Sequence, residues 1–245
     1  MRSNPMIQRG LDSDAYDSEA MTIDGARHKS ILLILITCAV AILSFFICTD
    51  VNGMPNAYAN IFSLVGGIVG TVLVFIMCFK PTLAPSLSMF YAAAEGLFVG
   101  SISVVFAYFY DGIVQKALIL TMLSVVFTLL LYRQCPDLAG KIRRAVMILT
   151  LTICATYFLG FILRLFGINF ILNGFSPIAI AFSIFTVCVA IANLMIDYDN
   201  IAIGAQAGLP KYMEYFFAVG LLVTIVWVYV EILQLLARIA QSQSE

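Results

Sequence analysis

The chemistry this chain could perform is concentrated in a few charged residues set among apolar ones. Glu231 stands in Val226-Trp227-Val228-Tyr229-Val230-Glu231-Ile232-Leu233, with no basic residue within four positions. A carboxylate in a lipid-spanning helix costs about 2.5 kcal/mol or more unless it faces protein or water, so it marks an ion or proton pathway. Asp197 and Asp199 end the preceding apolar run in Asp197-Tyr198-Asp199. Residues two apart on a helix do not share a face. At most one of the two therefore points into a bundle, and Asp197, in line with Asn193 and Ile201, is the better placed. Glu95, within Tyr91-Ala92-Ala93-Ala94-Glu95-Gly96-Leu97-Phe98-Val99-Gly100, either lines a pathway or donates one hydrogen bond to a neighbouring helix. Arg164, near the end of another apolar run, either snorkels to the headgroups or pairs with Glu95 or Glu231. Two carboxylates brought close inside a bundle share a proton and titrate as a unit, and their oxygens suit Ca²⁺. The residues alone thus point to a pH-sensitive cation pathway.

The elements that must hold these groups are membrane helices. The 245 residues are 62% hydrophobic and 11% charged, with a mean hydropathy of +1.02, where soluble domains are about 25% charged. Apolar runs of spanning length lie near Ile31–Cys48, Ala57–Phe79, Ala84–Tyr108, Gly112–Tyr132, Ala145–Phe166, Pro177–Ile196 and Phe217–Ile239. The expected fold is an all-α polytopic bundle of seven transmembrane helices. Its parts are a polar cytoplasmic tail (1–29), a transmembrane domain (30–240) and a short C-terminal tail (241–245).

The tail is too long and acidic for a signal n-region, and its Asp12, Asp14, Asp17, Glu19 and Asp24 argue against a transit peptide. With the N-terminus inside, ten basic residues fall on the inner side and three, Lys116, Arg164 and Arg238, on the outer. That bias sets the N-terminus in the cytoplasm and the C-terminus outside. The basic connection Arg133–Arg144 anchors this topology; Asn169, Asn173, Gly174 and Pro177 occupy an outer loop; Asn200–Tyr215 is a loop or an interfacial helix. Gly66 and Gly70, and Gly96 and Gly100, have the G-x-x-x-G spacing of close helix contacts. No internal repeat supports an inverted-repeat transporter.

Several chemistries are excluded. The one histidine, His28, lies in the tail, which removes haem pairs, H-E-x-x-H zinc chemistry and His-based triads from the membrane. The six cysteines are scattered without a C-x-x-C pair and read as small packing residues. Neither G-x-S-G nor G-x-G-D occurs, and the seventh run has no lysine for retinal. No enzyme, cofactor or nucleic-acid partner is expected.

Asn193-Leu194-Met195-Ile196-Asp197-Tyr198-Asp199-Asn200-Ile201, Gly208-Leu209-Pro210-Lys211-Tyr212-Met213-Glu214-Tyr215 and Gly220–Ala237, with Ala94–Gly100 and Asp111-Gly112-Ile113-Val114, resemble the Bax inhibitor-1 (TMBIM) family, most of all its bacterial YccA-like branch. The resemblance covers most of residues 55–240. It implies a seven-helix bundle with the C-terminal helix central, and a pH-dependent Ca²⁺ leak gated by an acidic pair on the sixth and seventh helices. By motif that pair falls on Asp197 and Glu231, which would also be the Ca²⁺ ligands; Glu95 and Asp199 would line the path. Here the second carboxylate is Glu, one methylene longer than the family's Asp. A basic latch would have to come from Lys80 or Arg164. From a span starting at Phe217, Glu231 lies about 21 Å along the helix, while Asp197 lies near the inner surface.

The localisation expected is a bacterial inner membrane, and the assembly a monomer or small homo-oligomer. The alternative function is a non-conducting regulator that binds a membrane-anchored quality-control protease or stress and cell-death partners.

Overall fold

Apolar segments in lipid have no water to satisfy their backbone, so each must pair its own N–H and C=O groups, which a helix does. The computed structural model describes residues 19–167, 174 and 176–243. Among them run α1 (Ile23–Cys48), α2 (Ala57–Phe79), a 3₁₀ turn (Pro81–Leu83), α3 (Ala84–Phe109), α4 (Ile113–Gln134), α5 (Asp137–Leu165), α6 (Pro177–Gln206) and α7 (Met213–Ser242). All seven α-helices are long and apolar enough to cross a membrane. Asn169, Asn173 and the tail residues Arg2, Arg9, Asp12, Asp14 and Asp17 lie outside the described residues.

Caps fix several starts. The Thr22 hydroxyl accepts from the Gly25 N–H at 2.9 Å, the Asn56 side chain from the Tyr58 N–H at 3.0 Å, and the Ser176 hydroxyl from the Ala179 N–H at 3.3 Å. Pro177 follows Ser176 at the first helical position, where its missing N–H costs nothing.

Several boundaries correct the expectation from the apolar runs. The first helix begins at Ile23, eight residues before its apolar run and within the polar tail. The basic connection shrinks to Cys135-Pro136, with Lys141, Arg143 and Arg144 on α5. The Asn200–Tyr215 interruption is helical to Gln206 and again from Met213. The physical reason is common to all three. An apolar run marks only the hydrocarbon layer, about 30 Å, whereas a helix continues through the headgroups on polar residues.

The C-terminal helix is central. Of its most apolar 18-residue window 61% is buried, against 17–44% for the other six helices. It packs against α1, α3, α4 and α6. The glycine spacings mark close approaches, as expected: a Cβ on Gly100 would lie 2.3 Å from the Ala41 carbonyl of α1, and one on Gly66 2.7 Å from the Ala94 carbonyl of α3. Thr37 and Ser44 of α1 donate to the Ala92 and Leu97 carbonyls of α3, at 3.0 and 3.1 Å, across the same contact. The cysteines depart from the packing role: only Cys48 is buried, and the other five face outward.

Candidate functional site

The antiparallel pair α6–α7 carries the central carboxylates, and its register decides which of them meet. Arg238 Nη1 on α7 donates to Ser183 Oγ at 2.7 Å and to the Ala179 carbonyl at 2.8 Å on α6. At the other end the Thr224 side chain of α7 faces Asp197 of α6. Glu231 lies seven residues beyond Thr224, about 10 Å further along the axis. Asp197 and Glu231 therefore occupy separate levels of one interface and share no hydrogen bond. The revised helix ends explain this. Asp197 sits nine residues inside the end of α6, about 13 Å deep, and α7 starts four residues earlier than its apolar run, carrying Glu231 about 27 Å from its start.

Asp197 borders a cavity of about 150 Å³ whose other walls include Met77 and Cys78 of α2, Asn200 of α6, and Phe216, Phe217, Gly220 and Val223 of α7. Its Oδ2 is buried without a hydrogen-bond partner among the described residues. A partnerless buried carboxylate oxygen is costly and takes up a proton, water or cation that reaches it. One carboxylate is far short of the six to eight oxygens of a tight Ca²⁺ site. Among the described residues no cluster of three His, Cys, Asp or Glu could hold a metal. The donor set is too small for a resident Ca²⁺ ion.

Glu231 is 2% exposed and fully engaged. The Tyr157 hydroxyl of α5 lies 2.8 and 3.0 Å from its two oxygens, and Trp227 Nε1, one turn back on α7, donates at 3.0 Å. Tyr157 in turn lines an open polar hollow of about 320 Å³ with Arg164, Gln234 and Arg238.

The remaining predicted residues fall elsewhere. Asp199 points away from Asp197: Arg143 Nη2 binds its Oδ2 at 2.6 Å and the Tyr132 hydroxyl its Oδ1 at 3.3 Å, while Arg143 Nη1 binds the Asn200 side chain at 2.6 Å. Glu95 accepts from the Tyr91 hydroxyl at 2.8 Å, one turn back on the same helix, and faces Gly70 of α2. Among the described residues it has no interhelical hydrogen bond, and it does not line the Asp197 cavity. Lys80 is exposed at the end of α2 and Arg164 is exposed near the end of α5. Neither forms an ion pair with an acidic residue among the described ones. The base that pairs with an acid here is Arg143, in the stretch read as a loop, and its partner is Asp199.

One buried acid was not legible as such. Glu214, in the first turn of α7, is 2% exposed. It accepts from the Thr22 N–H at 3.0 Å and the Thr22 hydroxyl at 3.2 Å, and its Oε2 lies 3.2 Å from Lys29 Nζ, an ion pair without hydrogen-bond alignment. Its partners are nearly two hundred residues distant in sequence, so no local pattern signals it. Trp227 was in principle readable, since it lies four residues before Glu231 and shares its face.

Residues 4–241 match the family described as Bax inhibitor 1 like. No curated protein and no solved structure matches the chain. The match spans almost the whole length, and the chain belongs to that family.

Proposed function

We propose that this Bax inhibitor 1-like membrane protein is a pH-sensitive Ca²⁺ leak pathway running along the α6–α7 interface. The observation that carries the proposal is Asp197 Oδ2, buried, unpartnered and set at a cavity. An oxygen in that state exchanges a proton for a cation readily, because neither displaces an existing bond. Glu231 is a second station about 10 Å further on. The side chains between the two levels, among them Leu194 and Val228, are fully buried and close the path. Conduction then requires α6 and α7 to part, and proton uptake at the carboxylates opposes cation entry. The family's acidic pair becomes two stations in series rather than one shared proton.

The same proposal sets the N-terminus and the α6–α7 turn in the cytoplasm of a bacterial inner membrane. It rests on the excess of basic residues on that face, ten against three. The decisive experiment is Ca²⁺ entry into liposomes bearing the purified protein, from pH 6 to 8, for the native chain, Asp197→Asn and Glu231→Gln. Flux that varies with pH and falls in both variants is expected. Absence of flux at every pH, or flux indifferent to both substitutions, refutes the leak; a membrane protease co-purifying with such an inert protein would point to the regulatory role.

A further inference from the structure

We infer that residues 19–22 form a strap that holds the wall of the Asp197 cavity closed, with Glu214 as its clasp. The inference rests on the cavity being the conducting site and adds a device that controls it.

The strap is a short extended segment laid against the α6–α7 turn. The Met21 N–H donates to the Leu209 carbonyl at 2.7 Å and the Lys211 N–H to the Glu19 carbonyl at 2.9 Å. Ala20 and Pro210 form an antiparallel bridge, and the Glu19 and Lys211 side chains form an ion pair. Just beyond, Thr22 gives both its N–H and its hydroxyl to Glu214, and Lys29 brings its ammonium to the same carboxylate. Lys29 Nζ also lies 5.4 Å from the centre of the Tyr215 ring. The start of α7 is thereby tied to the start of α1.

Two glycines show how closely this joint is fitted. A Cβ on Gly25 would fall 2.0 Å from Glu214 Oε1, so any larger residue there would displace the carboxylate from its present place. A Cβ on Gly204 would fall 2.7 Å from the Phe217 ring and 3.0 Å from Met21 Sδ. Met21 is buried in one cluster with Phe217, and Phe217 is a wall of the Asp197 cavity. The chain of contact therefore runs from strap to Met21, to Phe217, to the cavity.

The mechanical consequence follows. Parting α6 from α7 at Asp197 displaces Phe216 and Phe217, which lie within a turn of Glu214. With the strap in place that movement tears donors from a buried carboxylate and leaves it unpaired, which is among the costliest local openings a fold can make. With the strap lifted, α7 keeps only the Lys29 ion pair and its apolar contacts there. A ligand or partner that pulls on the chain before Thr22 would thus open the cavity from outside the membrane core.

Cysteine accessibility tests this without relying on ion flux. Gly220 lines the cavity and has nothing within 4 Å of its Cβ position, so Gly220→Cys fits. In full-length protein in nanodiscs, with the five exposed cysteines, cavity-lining Cys78 among them, changed to serine and Cys48 kept, the labelling rate by a charged methanethiosulfonate reports cavity opening. Glu214→Gln and, separately, Met21→Ala are expected to speed labelling about tenfold or more, with the folded fraction checked by thermal melting. Met21→Ala removes no charge and serves where Glu214→Gln fails to fold. Unchanged labelling in the folded variants overturns the strap. Accelerated labelling in a protein that passes no Ca²⁺ at any pH upholds the strap and refutes the leak instead.

Discussion

Tyr157→Phe isolates what holds Glu231 in place. The substitution keeps the ring, including its edge-on contact with Phe182 at 6.0 Å, and deletes the one hydroxyl that α5 gives to Glu231. Among the described residues, Glu231 then retains as hydrogen-bond donor only Trp227 Nε1 from its own helix, in a site 2% exposed. Hydrogen bonds to charged groups contribute about 1.5–3 kcal/mol in soluble proteins, and polar bonds between membrane helices average nearer 0.6 with a maximum of about 1.7. The bond here is between helices but serves a buried acid, so a loss of about 1–2 kcal/mol is expected. The assay is unfolding in mixed micelles, run as a cycle with Glu231→Gln. In that background the hydroxyl meets a neutral amide, and its removal is expected to cost about 1 kcal/mol less. A Tyr157→Phe variant as stable as the native protein, or a cycle with no coupling, would refute the assignment of Tyr157 as the tether of Glu231.

Three further outcomes follow from the same contacts. Asp197→Leu replaces a half-buried carboxylate, one oxygen of which is buried without a partner, with an apolar side chain of similar volume; it is expected to raise stability by about 1–3 kcal/mol in mixed-micelle unfolding while abolishing flux. Gly100→Ala drives a methyl group into the Ala41 carbonyl and is expected to destabilise by about 1–3 kcal/mol by the same measurement, whereas Gly220→Ala, with open space at its Cβ, is expected to be neutral or stabilising. The hydrogen bond and charge of Lys211 hold the exposed Glu19 carboxyl below its usual 4.5. The contribution of that pair is present above the ordinary value and lost only as pH falls through the lowered one. Glu19→Gln is therefore expected to leave the labelling rate of Gly220→Cys unchanged in its pH dependence between 6 and 8, and a changed profile would put the ion pair inside the pH sensor.

How far the sequence speaks depends on the range of the interaction. The seven helices were legible because spanning lipid forces a long apolar run, and Ala57–Phe79 coincides with α2 to the residue. Helix ends were not, because polar residues such as Asp137–Arg144 read as loop until a neighbouring helix receives them; Arg143 is helical where Asp199 and Asn200 accept it. The outward-turned Asp199 follows from the two-residue spacing alone. Glu214 illustrates the opposite limit. Nothing in Tyr212-Met213-Glu214-Tyr215 distinguishes it from a solvated first-turn acid that complements the helix dipole. Only the return of residues 19–29 to the start of α7 buries it, and that return is a property of topology: a seven-span chain puts its N-terminus and its last turn on one face.

That topology also spaces three carboxylates along α6 and α7 without a bond between them. Glu214 and Glu231 both ride on α7, at its first turn and past its middle, and each is held by a different neighbour: α1 through Thr22 and Lys29, α5 through Tyr157. Asp197, between them in height and opposite on α6, has an oxygen that nothing holds. A movement of α7 large enough to admit an ion at Asp197 must strain the tethers above and below it. On the proposed leak, Asp197 is the place where a cation gains most, and the tethers of Glu214 and Glu231 set what its entry costs. Weakening either tether is expected to raise Ca²⁺ entry through Asp197, and Asp197→Asn to silence both effects. A rise in flux that survives Asp197→Asn would mean that the ion takes another route.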